Sequence, residues 1–559
     1  MLSYLKLLKT RAWARLASFF CLVILLSLIL FIVGQKKRHS QIPVIESSDP
    51  AVGLPGDVLT ITGQHFGSVR GDSYVEISSS RVTGSHCISW QDTEIQLYIP
   101  ENVQDGLVTV TTGYGTSSPS FFASKANIPV AVRQDPKTTL PVILAVSPET
   151  ALVGDSITIT GTNFGVERGE SRVYFTANRQ SVSSDEQVID TALLGSGYEY
   201  WSDTEIRVRV PDGADSGKIF VETARGKSRS ALISLNFPAG KKTYSIMRTY
   251  VVQTFADLKN ESNGILPPVT LYLPRPAVST MQPSVSLSNV APVPLISDDM
   301  ENIIFQSKEM AGKGSVQDFS ATHVISIFEV AGNLRLSKAE PYSERSKLRY
   351  KSYMVQDSVV PSASASVDAL VKEVVGKEKN PARAARLCYD YITTSYKVRP
   401  KVRRGNVSPL DSITGKSGDA YDLTMLFTAM CRKAGVVAVP VAGIICEGPN
   451  TVHPHWWTEI FLEHYGWLPV DVPLGTGLRY ESFPLNEDRE AVRNYYFGNM
   501  DSQHIAFSRG WTDIRISLTA KKTVQRPRSW ALQSVWEEVI GDNANYSSLW
   551  GEPVIVGIY

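Results

Sequence analysis

The chain of 559 residues carries 56 lysines and arginines against 55 aspartates and glutamates, which gives a formal net charge of +1. This balance excludes the excess of basic charge that nucleic-acid binding requires, so no nucleic-acid partner is expected. A chain of this length predicts roughly three to five domains, each with its own core.

The first predicted element is a transmembrane helix that begins at Leu16 and ends at Val33. These 18 residues carry no charge, and at about 1.5 Å per residue they span about 27 Å, close to the thickness of a bilayer core. A cleaved signal peptide is the alternative, and Gly-Gln-Lys-Lys at 34–37 disfavours it because small residues are expected at a cleavage site. The pattern predicts a cytoplasmic stub and membrane anchor over 1–41. The bulk of the chain would then lie in the bacterial periplasm or at the cell surface.

An internal repeat follows the predicted anchor. The sequence at 55–67 returns at 153–165, and the sequence at 90–95 returns at 201–206. Both copies alternate apolar and polar residues between turns, which predicts short antiparallel strands in a sandwich. The predicted sandwiches cover 42–125 and 140–237.

The pattern Thr-x-Thr-Gly-x-x-Phe-Gly after Gly-Asp occurs in both copies. It resembles IPT/TIG domains, which are immunoglobulin-like sandwiches that occur in tandem on extracellular proteins. Such domains act as stiff spacers or as ligand-binding modules, and the fold alone leaves both roles open.

Residues 238–360 keep a β pattern. The segment 243–255 alternates, and the segment 269–276 predicts a strand that ends at prolines. This part resembles the β-sandwich that precedes the catalytic core of many bacterial transglutaminase-like proteins. A generic third sandwich is the alternative.

After Pro361 the spacing of apolar residues becomes helical. It predicts two helices broken near Asn380, with Pro381 at the first helical position of the second. We predict a core domain over 361–515 and a C-terminal extension over 516–559. The end of the core, from Tyr495 to Gly510, resembles the closing portion of bacterial transglutaminase-like domains.

Three sequence blocks in the core carry the functional argument. They are G-D-A-Y-D at 418–422, H-W-W-T-E at 455–459 and G-W-L-P-V-D at 466–471. In this order they resemble the transglutaminase-like superfamily, whose papain-like α+β core shows G-x-C, then H-x-W-x-E, then G-W-x-x-x-D. The predicted fold class is therefore multidomain: a transmembrane helix, two immunoglobulin-like sandwiches, a further β-domain and a papain-like core.

The resemblance implies a role for each matching residue. Ala420 occupies the position of the nucleophilic cysteine, His455 matches the general base, and Asp471 matches the carboxylate that orients the imidazole. The supporting residues of the cleft are Gly418, Trp457 and Trp467. Two local predictions accompany these roles: Asp419 caps the helix that follows it, and a hairpin turn lies at 464–466.

The chemistry of the first block depends on the missing thiol. A helix N-terminus carries about half a positive charge and free N–H groups, which stabilise a thiolate and a developing oxyanion. A methyl group in that place cannot attack a carbonyl. Cys431 is about 16 Å further along the same predicted helix, and Cys388 and Cys446 have the apolar surroundings typical of buried structural thiols.

A metal site is a weaker hypothesis. His453 and His455 share one face of a predicted strand and could join Asp471, but no third histidine shows ligand spacing. Neither a metal nor another cofactor is therefore predicted.

The sequence leaves three functions open. His455 and Asp471 could simply bond to each other and stabilise the hairpin, or the cleft could bind a protein, peptide or peptidoglycan ligand without cleaving it. The third is a peptidase, amidase or acyl transferase with an unrecognised nucleophile. Because loss of a triad nucleophile costs about a million-fold in rate, we expect a binding or scaffolding protein of the cell envelope.

Overall fold

The computed structural model describes residues 41–559 apart from several short stretches. Those stretches are 55, 79, 83, 101–102, 104, 125–139, 180–187, 191–196, 300–301, 404, 406, 450, 486–487, 512–521, 526–527, 533–535 and 540–543. The predicted transmembrane helix from Leu16 to Val33 lies outside the described residues. Within the described part, no helix is both long and apolar enough to cross a bilayer.

The chain divides into two compact units, residues 1–130 and 131–559. The first unit holds a β-sandwich whose sheets have the orders β1-β3-β7-β6 and β2-β10-β8-β4-β5, with β9 paired to β8. Its core is built from alternate residues of facing strands, such as Leu59 and Ile61 of β3. The strands are β1 (Val44–Asp49), β2 (Val52–Gly53), β3 (Val58–Gln64), β4 (Tyr74–Ile77), β5 (Ser80–Arg81), β6 (Cys87–Trp90), β7 (Glu94–Tyr98), β8 (Gly106–Thr112), β9 (Gly115–Thr116) and β10 (Ser120–Ser124).

The second unit begins with a sandwich of the same topology. Its sheets have the orders β11-β13-β17-β16 and β12-β20-β18-β14-β15, with β19 paired to β18. The strands are β11 (Val142–Ser147), β12 (Thr150–Ala151), β13 (Ser156–Thr162), β14 (Arg172–Ala177), β15 (Val188–Asp190), β16 (Tyr198–Trp201), β17 (Glu205–Arg209), β18 (Ala214–Thr223), β19 (Gly226–Lys227) and β20 (Ala231–Leu235).

The two repeated sequence blocks contact each other inside each sandwich. In the first copy, Nε1 of Trp90 donates a hydrogen bond to the carbonyl of Phe66 at 3.0 Å. In the second copy, Trp201 makes the same bond to Phe164 at 3.3 Å. The tryptophan therefore ties one sheet edge to the turn after β3 or β13, which explains why the two blocks recur together.

A β-domain follows, built around two long strands, β21 and β28, that pair antiparallel. Its strands are β21 (Lys242–Asn260), β22 (Ile265–Leu266), β23 (Val269–Pro274), β24 (Ser284–Ala291), β25 (Ile296–Asp299), β26 (Asn302–Gln306), β27 (Met310–Ala311) and β28 (Val316–Gly332). Alternate side chains of the two long strands are buried, so the period-two pattern of the sequence marks the inner face.

The core domain packs helices against a four-stranded sheet of order β33-β32-β31-β34. Its helices are α1 (Glu344–Arg349), α2 (Ala365–Val374), α3 (Pro381–Ser395), α4 (Asp411–Gly415), α5 (Ala420–Lys433), α6 (Val472–Thr476) and α7 (Arg489–Tyr495). Its strands are β29 (Lys397–Val398), β30 (Ser417–Gly418), β31 (Ala438–Gly448), β32 (Thr451–Leu462), β33 (Gly466–Val470) and β34 (His504–Arg509). Pro381 is the first residue of α3, as its position after Asn380 predicts.

The segment after the core returns to the β-domain. Its strands are β35 (Lys522–Gln525), β36 (Trp536–Val539), β37 (Tyr546–Trp550) and β38 (Val554–Ile558). Strands β37 and β38 pair with β21, and β36 pairs with β23. The predicted extension over 516–559 therefore supplies strands to both sheets of the preceding domain, a pairing that no local pattern in the sequence indicates.

Candidate functional site

Helix α5 begins in a tightly fixed turn. The carboxylate of Asp419 accepts the backbone N–H of Asp422 at 2.9 Å, and the carboxylate of Asp422 accepts the N–H of Asp419 at 3.2 Å. This reciprocal capping box confirms the predicted cap. Ala420 is the first helical residue and is 3% exposed.

Gly418 is required by the same turn. A Cβ at this position would lie 2.8 Å from the Cβ of Asp422, closer than side chains approach one another. The absence of a side chain at Gly418 therefore allows the chain to pass close to the start of α5, where Ala420 is the first helical residue.

Two arginines hold the capping carboxylates. Arg403 donates to Asp422 at 2.7 Å, and Arg528 donates to the same carboxylate at 2.9 Å. Burial raises the pKa of Asp419, while bonds from Arg403 and Asp422 oppose that rise. The partial positive charge at the start of α5 is thus balanced by the carboxylates of Asp419 and Asp422.

His455 and Asp471 meet as the resemblance implies. Nε2 of His455 lies 2.6 Å from Oδ2 of Asp471, and both side chains are fully buried. Asp471 also caps α6, because its Oδ1 accepts the N–H of Leu474 at 2.7 Å. Burial raises the pKa of Asp471, but His455 and His504 outweigh burial and lower it to about 2. Asp471 is therefore an ionised carboxylate that accepts a hydrogen bond from Nε2–H of His455.

The other ring nitrogen of His455 is also engaged. The hydroxyl of Tyr480 lies 2.9 Å from Nδ1. Burial, and then the negative charges of Asp471 and Glu447, raise the pKa of Tyr480, so its phenol stays protonated and donates to the imidazole. Sequence reasoning missed Tyr480, which stands in an irregular loop after α6 outside all three motif blocks.

A second buried histidine joins the site. His504 of β34 places Nε2 at 3.1 Å from Oδ2 of Asp471 and Nδ1 at 2.9 Å from Oδ1 of Asp501. Burial lowers the pKa of His504, but the two carboxylates outweigh it and raise the pKa to about 9. The expectation that no third histidine has ligand spacing fails here, because β34 pairs with β31 and brings His504 across the sheet.

The two supporting tryptophans have different surroundings. Trp457 packs beside the imidazole of His455, with ring centroids 6.5 Å apart. The guanidinium of Arg509 lies 3.9 Å from the ring centre of Trp467, and Trp467 has no ring contact with His455 among the described residues. Of the two tryptophans, Trp457 is therefore the one that packs directly beside the imidazole.

Helix α5 is fixed against the strand that carries the base. The hydroxyl of Thr424, one turn after Ala420, donates to the carbonyl of Trp456 at 2.9 Å. Thr428 bonds to Thr458 at 2.8 Å on the same side of β32. The structure thus joins the first and second sequence blocks through these hydroxyls.

The thiols of the core are buried. Cys388 and Cys431 have no exposed surface, and Cys446 is 1% exposed. Burial raises the pKa of Cys431 and raises that of Cys446 to about 11, so neither forms a thiolate near neutral pH. They are the buried structural thiols that the sequence predicts.

Family models match three parts of the chain. The model of the transglutaminase-like superfamily matches residues 368–472. The IPT/TIG domain model matches 43–125 and 141–237. The chain therefore contains a transglutaminase-like domain and tandem IPT/TIG domains, and the resemblances of the three motif blocks and of the repeat are confirmed.

Individual relatives share only parts of the chain. A cyclomaltodextrin glucanotransferase from Paenibacillus macerans is 38% identical over 91 residues, which are 16% of this chain and 12% of that enzyme. The chain therefore spans about an eighth of that relative's length. Another from Bacillus licheniformis is 31% identical over 131 residues, 23% of this chain and 17% of that enzyme.

Two solved structures show a low similarity to this chain. A candidate cysteine protease from Cytophaga hutchinsonii is 14% identical, with a TM-score of 0.37, over 56% of this chain and 93% of that protein. The periplasmic domain of TgpA from Pseudomonas aeruginosa is 13% identical, with a TM-score of 0.23, over 43% of this chain and 89% of that domain.

Proposed function

We propose that this protein is a binding or scaffolding protein of the cell envelope, anchored in the membrane, whose transglutaminase-like domain does not catalyse acyl transfer. The observation that carries the proposal is Ala420 at the first position of α5, where the family resemblance implies a nucleophilic thiol. An alanine side chain has no group that His455 could activate.

The state of the base supports the same conclusion. A general base needs a free nitrogen to take the proton of a nucleophile. In His455, Nε2 bonds to Asp471 and Nδ1 to Tyr480, so both ring nitrogens are engaged. The imidazole is thereby held as part of a buried hydrogen-bonded network that stabilises the sheet and α6.

A binding role has a structural basis outside this network. A cavity of about 500 Å³ lies between the second sandwich and the core. The sandwich contributes Arg209, and the core contributes Arg345, Tyr350 and Trp467 to its walls. Charged and aromatic groups on one concave surface suit a peptide or a peptidoglycan fragment, which offers both polar and apolar groups.

A turnover assay tests the loss of catalysis. The full chain and its His455→Gln variant are incubated with a glutamine-containing peptide plus a primary amine, and separately with an activated ester. We expect equal background rates for both proteins. Turnover by the unmodified chain that disappears with His455→Gln would overturn the proposal.

Carbonate extraction tests the membrane anchor. The 18 uncharged residues that end at Val33 support it. We expect the full chain to remain in the membrane fraction in alkaline carbonate and to be released by detergent. Release by carbonate alone would contradict an integral anchor.

One observation favours a second candidate function. The hydroxyl of Tyr480 contacts a base that Asp471 orients, which is the arrangement of a nucleophile, base and orienting carboxylate. Tyr480 would then be the unrecognised nucleophile of a peptidase, amidase or acyl transferase. The raised pKa of Tyr480 disfavours this role, because its phenol is hard to deprotonate. The Tyr480→Phe variant tests it in the same turnover assay: a turnover rate that is unchanged by the substitution excludes Tyr480 as the nucleophile.

A further inference from the structure

Two buried imidazoles converge on one carboxylate oxygen. Nε2 of His455 and Nε2 of His504 lie 2.6 Å and 3.1 Å from Oδ2 of Asp471. These three atoms all lie within 4.8 Å of one another. Each comes from a different element, β32, β34 and the turn before α6, so the sheet pairing holds them in place.

Each of the three groups has a partner on its far side. Nδ1 of His504 bonds to Asp501 at 2.9 Å, and Nδ1 of His455 bonds to Tyr480 at 2.9 Å. Oδ1 of Asp471 accepts the N–H of Leu474 at 2.7 Å. In metalloproteins, such outer partners fix the ring orientation of a ligating histidine and leave its other nitrogen for the metal.

The geometry points to a two-histidine, one-carboxylate site for a divalent first-row transition-metal ion, held by Nε2 of His455, Nε2 of His504 and Oδ2 of Asp471. Imidazole and carboxylate donors suit Zn²⁺ well, at bond lengths of about 2.0–2.2 Å. The inference goes beyond the proposed binding role, because occupancy by a metal requires neither turnover nor a bound ligand.

The observed spacing is close to what such an ion needs. Donor atoms around a tetrahedral ion with bonds of about 2 Å lie about 3.3 Å apart. The two spacings to Asp471, 2.6 and 3.1 Å, need to widen by about 0.7 Å and about 0.2 Å to reach that value.

The charges also match. The two carboxylates lie on either side of His504: Asp471 is fully buried, and the side chain of Asp501 is 20% exposed. When a metal ion replaces the proton on Nε2 of His504, both imidazoles are neutral, and a divalent cation then balances the two negative charges of Asp471 and Asp501. The metal ion releases one proton from His504, whose remaining ring proton faces Asp501. In His455 the ring proton moves from Nε2 to Nδ1 and is then donated to the Tyr480 hydroxyl, the reverse of the direction that holds when Nε2 is protonated.

Aromatic rings surround the proposed metal site and exclude bulk water, and a cavity lies next to it. The ring of Trp457 lies 5.3 Å from that of His504, and the ring of Tyr496 lies 6.2 Å from it. A cavity of about 340 Å³ is lined by Tyr496 and Asp501, both of which contact His504. The cavity therefore lies next to His504 and is separated from it by these two side chains.

Metal content is the direct test. The full chain is stripped with a chelator, reloaded with ZnCl₂, desalted and analysed for zinc by mass spectrometry. We expect about one Zn²⁺ per chain, and with CoCl₂ a visible absorption band typical of nitrogen and oxygen ligands. A reloaded chain without zinc overturns the site.

Variants assign the ligands. We expect His504→Gln and Asp471→Asn each to lose the zinc, and Asp501→Asn to weaken Zn²⁺ binding about 10–100-fold through the orientation of His504. His464→Gln, in the hairpin turn at the far end of β32, is the matched control and should retain it. Because misfolding would also abolish zinc binding, the circular dichroism spectra of all four variants are compared. Zinc retained by folded His504→Gln and folded Asp471→Asn would contradict the assignment.

Discussion

The carboxylate of Asp212, in the second sandwich, accepts the backbone N–H of Trp467, in the core hairpin, at 2.8 Å. Lys242, which begins β21, pairs with the same carboxylate and donates to the carbonyl of Trp467 at 2.7 Å. Three domains thus meet at one ion pair whose side chains are 3% and 7% exposed. The second sandwich is fixed to the core by buried polar bonds.

Removing this carboxylate should destabilise the second unit. We expect Asp212→Asn to lower the free energy of unfolding by about 3–5 kcal/mol, because it leaves the buried ammonium of Lys242 without its counter-charge. Denaturant unfolding followed by tryptophan fluorescence measures the change.

The neighbouring ion pair gives a matched control. Lys241 and Asp215 form a bond of the same kind at 2.9 Å, but the lysine side chain is 46% exposed. We expect Asp215→Asn to change the free energy of unfolding by about 0–1 kcal/mol. Equal effects of the two substitutions would show that burial of the Asp212 pair is not what stabilises the interface.

We expect a cysteine at the start of α5 to become reactive only when Tyr480 no longer bonds to Nδ1 of His455. We expect Ala420→Cys to react slowly with iodoacetamide at neutral pH, because Tyr480 occupies Nδ1 of His455. Adding Tyr480→Phe should raise the labelling rate about 10-fold or more, the size of effect expected of a positioned general base.

The control for that experiment is a thiol elsewhere in the helix. Ala429 is fully buried in the middle of α5, so Ala429→Cys tests burial without the helix start. If the double variant reacts no faster than Ala429→Cys, the imidazole does not face the first turn of the helix.

Gly418 should tolerate no side chain. We expect Gly418→Ala to lower the free energy of unfolding by about 1–3 kcal/mol, because the new Cβ would overlap Asp422. Gly415→Ala is the matched control, since a Cβ there meets nothing within 4 Å. Thermal unfolding of the two variants should therefore differ, and a Gly418→Ala protein as stable as Gly415→Ala would show that the turn can relax.

Acid should destabilise the β-domain through His323. This histidine is 1% exposed, and neither ring nitrogen has a hydrogen-bond partner among the residues that the structure describes. Burial, followed by the charge of Arg275, lowers its pKa to about 4. The unfolded chain, with a histidine pKa of about 6.5, binds the proton more readily. The contribution of neutral His323 to the free energy of unfolding is therefore fully present above about pH 6.5. The free energy of unfolding falls by about 3 kcal/mol as the pH falls to about 4.

A substitution isolates this contribution. We expect His323→Leu to flatten the dependence of unfolding free energy on pH between 4 and 7.5 relative to the natural chain. Ile325→Val, two residues along on the same face of β28, should lower stability equally at every pH. An unchanged pH slope in His323→Leu would assign the acid sensitivity to other groups.

The motif blocks predict the local structure well. The cap at Asp419, the turn that contains His464 and the contact of His455 with Asp471 all follow from short patterns in sequence. Each depends on residues within one element or on one hairpin, where spacing along the chain largely determines spacing in the fold.

The remainder of the site depends on long-range pairing. His504 reaches Asp471 only because β34 joins the edge of the sheet, and Tyr480 reaches His455 from an irregular loop. Trp467 matches the motif, but Arg509 lies over its ring instead of the imidazole. Periodicity contains no information about which strands become neighbours, so these three placements could not be predicted.

The strands that follow the core have a consequence for biogenesis. Ser547 on β37 bonds to Glu261 just beyond β21, 286 positions earlier in the chain. The pairing of β21 with β37 and β38 therefore cannot form until the core has been translated. Until then β21 has an unpaired edge, which is prone to aggregation. The last strands of the chain thus determine when this edge becomes covered.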